Sequence, residues 1–296
     1  MIWQGVFPAI TTPFREDLSV DHEFLARHVD TMVRAGCKGL VPLGSLGESA
    51  TLDSEEKGAI LTTCRRALAG RAPLVAGIAA LSTAQASATA RLAQEVGCDG
   101  LMVLPPYVYH PDRRETGAHF SAVISATPLP CMLYNNPIAY GTDVSAEELE
   151  QLAAEHPNLQ AVKESSGDVR RIAGIRALLR ERLAIFVGVD DLIVEGIDAG
   201  AVGWIAGLVN ALPEESVRLF DLAAAGKADQ TRGLYEWFLP LLRLDVVPKF
   251  VQLIKLAQQE VGIGSERVRP PRLALAGAER EQALALIRER LIRRPR

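Results

Sequence analysis

Lys163 follows Leu159, Ala161 and Val162 at the end of an apolar strand candidate, so its stem leaves the sheet from surroundings that penalise a charged ammonium and lower its pKa. A neutral amine is a nucleophile, and lysines in that state form Schiff bases with carbonyl compounds. Tyr134 closes the preceding strand candidate, which puts a phenol at the same mouth as a group able to relay protons. The turn Gly44-Ser45-Leu46-Gly47 offers successive backbone N–H groups and a hydroxyl, a setting suited to a carboxylate. Each has a plainer meaning alone: a strand-end lysine as a solvated residue, a strand-end tyrosine as a rim aromatic, a glycine-rich turn as only a turn. They become a site only in a fold that gathers strand ends together.

Such a fold is written in the repeats. AGCKGLVPLG from Ala35, VGCDGLMVLP from Val96 and AGAVGWIAGL from Ala199 each read as a helix ending in glycine, a turn through a second glycine, and a short apolar strand. Further strand candidates lie at Val6 to Thr11, Leu74 to Ile78, Leu129 to Tyr134, Leu159 to Lys163 and Ala184 to Gly188, which makes eight. They alternate with amphipathic helix patterns such as Phe24, Leu25, His28, Val29, Met32 and Val33. Capping boxes are expected at Asp53 with Glu56, Ser82 with Gln85, and Ser145 with Glu148. Eight strand–helix units predict an α/β fold, a TIM (β/α)8 barrel over residues 1–212, with a doubly wound sheet as the alternative. After Pro213 the strand signal stops, and residues 213–296 read as a helical extension: Glu214 to Ala225, Ala228 to Leu244, Pro248 to Val261 and Ala278 to Ile292.

Composition narrows the function. The 296 residues are 48% hydrophobic and 23% charged, with 36 acidic and 32 basic side chains mixed along the chain for a net charge of -4, so no broad basic surface for nucleic acid is expected. No run approaches the roughly 18 apolar residues of a membrane span, and the start of the chain lacks a basic region with a long apolar core, so a cytoplasmic location is expected. Cys37, Cys64, Cys98 and Cys131 are widely spaced and read as buried thiols. No His, Cys and carboxylate cluster terminates the strands, so neither a metal nor an organic cofactor is expected.

The spaced motifs together resemble the dihydrodipicolinate synthase and N-acetylneuraminate lyase family of class I aldolases, nearly end to end. They are GVFPAITTPF near the start, GSLGES in place of GTTGE, LYNNP in place of YNxP, VKESSGD, GVDD, GxxGWI, and VRPPRLAL near the end. The resemblance implies that Lys163 is the Schiff-base residue, Tyr134 the proton-transfer residue, and Ser45 the hydroxyl that orients Tyr134 or the substrate carboxylate. It places Gly44, Leu46, Gly188 and Ile205 in the lining of a pocket for a small 2-oxo acid, makes Glu48 a structural partner rather than a catalyst, and implies a homotetramer built as a dimer of dimers.

Departures from the synthase pattern bear on the reaction. Ala139 stands where that pattern carries a carboxylate-binding arginine, Leu46 where it has a second threonine, and Val108 where it has a tyrosine, with Tyr109 one residue away as a substitute. Loss of the arginine fork removes about 1.5–3 kcal/mol of carboxylate binding. The distal half-site, near Asn136, Ala139, Tyr140, Tyr107 and Ala206, is then suited to a small polar substituent. The expected reaction is dehydration or deamination of a 4-hydroxy-2-oxo acid or its cyclic imine, as in 1-pyrroline-4-hydroxy-2-carboxylate deaminase or a 2-keto-3-deoxy sugar acid dehydratase or aldolase. The alternatives are the lysine-pathway synthase and a barrel that binds 2-oxo acids without turning them over. A phosphate-handling isomerase ranks last, because Gly203 to Gly207 is apolar and has no adjacent Lys or Arg.

Overall fold

A computed structural model describes residues 1–295. The recurring glycine pairs explain much of its geometry. The first glycine of each pair turns the chain out of a helix at positive φ: +99° at Gly36, +85° at Gly97 and +108° at Gly200. The second opens a strand and leaves room for an aromatic ring. A Cβ at Gly39 would lie 2.6 Å from Phe7 Cζ, and one at Gly203 would lie 2.5 Å from Phe186 Cδ1. Phe7 and Phe186 meet edge to face at 5.3 Å, with Trp3 6.3 and 6.2 Å away, and together they plug the interior.

Around that plug run seven parallel strands: β1 (Gly5–Pro8), β2 (Val75–Ile78), β3 (Gly100–Val103), β4 (Cys131–Asn135), β5 (Leu159–Glu164), β6 (Ala184–Val187) and β7 (Gly203–Ala206), in the order β1-β7-β6-β5-β4-β3-β2. The segment expected as the second of eight strands makes isolated bridges instead, Ala9 with Val41 and Leu40 with Leu74. It still joins the two edges: Lys38 and Val41 N–H donate to β1 carbonyls at 2.9 and 2.8 Å, and Gly77 N–H donates to Pro42 O at 2.9 Å. Pro42 has no N–H to extend the ladder, which explains why a full strand does not form. The architecture is TIM-barrel-like, as the alternation predicted.

The helices before β5 begin where side chains cap them. Asp53 with Glu56 and Ser145 with Glu148 form reciprocal capping boxes, whereas Ser82 only accepts from Gln85 N–H. A further box, Asp112 with Glu115, starts the helix Arg113–Ile124. The C-terminal helices are Pro213–Ala224, Ala228–Leu242, Phe250–Glu260 and Gly277–Ile292, and one apolar cluster runs from Phe7 and Val162 into Leu219, Phe238, Leu256 and Ile287. All four cysteines are free and buried, and burial pushes each thiol up to about 12. Among the described residues, no helix is long and apolar enough to cross a membrane.

Candidate active site

The site starts from strand register. β4 and β5 pair with Tyr134 directly beside Lys163, and the two-residue period turns both inward while Asn135 and Glu164 face the helices. Asn135 Nδ2 donates to Glu164 at 3.0 Å and fixes that outer layer. Inside, Lys163 is only 6% exposed, with Nζ 3.9 Å from the centroid of the Tyr134 ring. Its stem crosses the end of β6, where a Cβ at Gly188 would lie 2.5 Å from Lys163 Cε and closer still to Ser165 Oγ. Desolvation pulls the amine below the ordinary lysine value, and the nearby Tyr140, Asp245 and Asp190 only partly oppose this. Lys163 is placed to attack a carbonyl.

Burial pushes the Tyr134 phenol above its usual pKa, while the hydrogen bond from Asn136 pulls it back. Asn136 Nδ2 donates to the phenol oxygen at 3.0 Å, and its Oδ1 accepts Ala139 N–H, capping the one-turn helix Pro137–Tyr140. That turn brings Tyr140 back over the mouth, edge-on to Tyr134 at 5.7 Å and 6.1 Å from Tyr107. Ser45 Oγ hydrogen-bonds to the Tyr140 hydroxyl. The resemblance implied Tyr134 or the substrate carboxylate as the Ser45 partner; the phenol that meets Ser45 is Tyr140, because the capped turn carries that ring across the mouth.

The remaining expected residues divide. Gly44 and Leu46 are buried in the turn, and Ile205 is buried on the inward face of β7 that it shares with Gly203. Ala139 is exposed on the one-turn helix. Tyr109 does not come to Lys163 in this chain: it is 61% exposed, and its hydroxyl donates at 3.1 and 3.0 Å to Glu115, a carboxylate already held at the start of a helix. Glu48 is structural, as expected. Its carboxylate is buried against Lys255 Nζ at 2.5 Å and accepts Arg269 N–H at 3.0 Å.

Three groups were given no role by the sequence. Ser165 Oγ is buried without a hydrogen-bond partner, and its position two residues beyond Lys163, on the same strand face, was the available signal. Asp190, the first acid of GVDD, accepts from Trp204 Nε1 at 2.9 Å and from Gly207 and Leu208 N–H at 3.1 and 2.8 Å; burial raises its carboxyl to about 6 against those donors. Asp245 ends a short turn, Arg243–Asp245, and no sequence pattern marked it.

A model of the dihydrodipicolinate synthetase family matches residues 3–290. The chain belongs to that family. A 4-hydroxy-tetrahydrodipicolinate synthase from Anaplasma marginale is 32% identical over 274 residues, covering 93% of this chain and 90% of the relative. One from Methanopyrus kandleri is 32% identical over 269 residues, 90% of each chain. Among solved structures, a dihydrodipicolinate synthase from Bacillus anthracis superposes with a TM-score of 0.94 at 27% identity over 100% of both chains. A prophage protein of the same family from E. coli K12, in complex with pyruvate, superposes at 0.92 with 26% identity over 98% of this chain and 99% of that one. As a dihydrodipicolinate synthetase family member, the protein is a class I Schiff-base lyase that takes small 2-oxo acids.

Proposed function

We propose that the enzyme eliminates water from a small 4-hydroxy-2-oxo acid, or water and then ammonia from its cyclic imine, as a 1-pyrroline-4-hydroxy-2-carboxylate deaminase does. The observation that carries this reading is the distal side of the Lys163 mouth. Ala139 replaces the arginine of the synthase pattern, and the phenols of Tyr107 and Tyr140 stand nearby. A neutral, hydroxyl-rich wall fits a substrate with one carboxylate better than one with two.

The chemistry follows from the positions of the groups. Lys163 Nζ adds to C2, and loss of water, or opening of a ring imine, leaves the substrate as a protonated imine on the enzyme. Tyr134, beside that nitrogen, gives its proton to the oxygen or ring nitrogen leaving C2, and the resulting phenolate then removes a C3 proton as the electrons move into the imine to give an enamine. The enamine then expels the 4-hydroxyl as water once that oxygen has taken a proton. Hydrolysis frees Lys163. For the pyrroline, the sum is substrate plus one water to 2,5-dioxopentanoate plus ammonia. Ser45 holds Tyr140, and the backbone at Gly44 and Leu46 lies in the turn that would meet the C1 carboxylate.

The second reading is the lysine-pathway synthase, favoured by the names of the relatives. Assaying the purified protein with hydroxyproline-derived pyrroline, with 2-keto-3-deoxy sugar acids, and with pyruvate plus aspartate semialdehyde separates the two. Turnover of either of the first two classes supports elimination; dominant turnover of the last pair supports synthesis and contradicts this proposal. We also propose a homotetramer, supported by the exposed side chains Val108, Tyr109 and Ile138 on the loops after β3 and β4. One family structure is described as the first monomeric dihydrodipicolinate synthase variant, so assembly differs among relatives.

A further inference from the structure

The C-terminal segment delivers one ionisable group to the Lys163 mouth that the steps above leave unused. Asp245 lies on the backbone just beyond β7: a Cβ at Gly207 would sit 2.8 Å from Asp245 Oδ2 and closer still to Oδ1, so only glycine lets the carboxyl in. Oδ1 is shielded from solvent and has no hydrogen-bond partner. Leaving a buried acceptor in that state is costly, and in an enzyme mouth it points to a partner that arrives with the substrate.

The groups facing Asp245 are Asp190, Lys163 and Asp191, and its charge is also felt at Tyr134. Asp190 is committed to the Trp204 indole and two backbone N–H groups, and Asp191 lies 3.5 Å from Arg243. Of these three carboxylates, only Asp245 has a buried oxygen without a hydrogen-bond partner. Burial and the neighbouring Asp190 push its carboxyl well above the usual range, against the opposing pull of Lys163, which favours the protonated acid.

We propose that Asp245 is the distal acid of this site, donating a proton to the leaving group at C4 and admitting substrates whose far end is neutral or cationic rather than a second carboxylate. The role rests on the eliminating reading given above. In the step, the enamine nitrogen regains its double bond to C2, the C2–C3 double bond shifts to C3–C4, and the C4–O bond breaks. The departing oxygen takes the Asp245 proton and leaves as water, and Asp245 becomes a carboxylate that is reprotonated from solvent before the next turnover. No oxidant or reductant is needed. The neutral acid hydrogen-bonds to a hydroxyl or amine at C4, and the carboxylate form left after each proton transfer repels a second carboxylate and attracts a cationic nitrogen.

Two half-reactions separate this role from a structural one. In Asp245→Asn, borohydride trapping of pyruvate and exchange of the pyruvate methyl protons in deuterium oxide should persist, with at most a shift in their pH dependence, because Asp245 touches Lys163 and Tyr134 through charge alone. Elimination from a 4-hydroxy-2-oxo acid should fall by about 10²–10⁴-fold. Gly207→Ala, which displaces the carboxyl without removing it, should show the same selective loss. Undiminished elimination in Asp245→Asn would overturn the proposal, as would equal loss of exchange and elimination in both variants, since the group would then serve the imine or the fold. A wild-type protein that traps pyruvate yet eliminates from none of these acids would overturn the functional reading, and this role with it.

Discussion

Lys163 gains reactivity from where its ammonium cannot be hydrated. An ordinary lysine, with a pKa of about 10.4, is neutral in roughly one molecule in a thousand at pH 7.4. Desolvation lowers the Lys163 value, so its neutral, attacking fraction is larger and saturates at lower pH. The pyruvate trapping rate should therefore rise with pH through an inflection below that of a free lysine side chain; stopped-flow measurement placing the inflection at the ordinary value would contradict the assigned burial. Tyr134→Phe keeps the ring beside Nζ and removes the hydroxyl proposed to relay protons, so on that proposal kcat should fall about 10²–10⁴-fold with the fold intact by circular dichroism. Lys163 and Tyr134 were legible in the sequence because both motifs end strands that pair in register. The Tyr140 contact to Ser45 was not, since it depends on how one capped helical turn folds back. Asp245 was invisible for the same kind of reason: its place is set by tertiary packing of a distant turn against Gly207.

At the scale of elements, the turn bearing Ser45 is held by the C-terminal segment. Glu48 sits at φ +55°, a strained setting for a non-glycine residue, and is locked there by Lys255 and the backbone of Arg269, whose guanidinium also grips Glu56 through two 2.8 Å bonds. That explains why VRPPRLAL belongs with the other motifs: Arg269 ties the tail to the turn. Lys255→Met would leave the buried Glu48 carboxylate with only the more distant Arg272, 4.0 Å away, as its cation and should cost about 3 kcal/mol in urea unfolding. A loss below 1 kcal/mol would show that the pair holds nothing. Gly188→Ala should cost about 1–3 kcal/mol by overpacking and abolish trapping, because a Cβ there displaces the Lys163 stem and Ser165; trapping at the wild-type rate would disprove that close packing matters. Helix starts were legible through their caps. The missing ladder at 39–42 has a local cause in the sequence, Pro42, which the apolar pattern around it masks.

Over the whole molecule, eight alternating units pointed to a closed barrel; that the second glycine of each repeat makes room for an interior ring is visible only in the structure. What sequence could not show is that the C-terminal helices share the barrel's apolar cluster and feed the mouth from outside the strands. A chain ended after Asp245 would lose Lys255, uncover Phe238 and strip the Glu48 clamp, and should show no cooperative thermal transition. The central claim, a covalent imine at a buried lysine, is tested most directly by reducing the protein with borohydride in the presence of pyruvate and locating the added mass by peptide mass spectrometry. The ligand mass should appear on the peptide containing Lys163 and vanish in Lys163→Arg. An unlabelled protein, or a label on another lysine, would contradict the account.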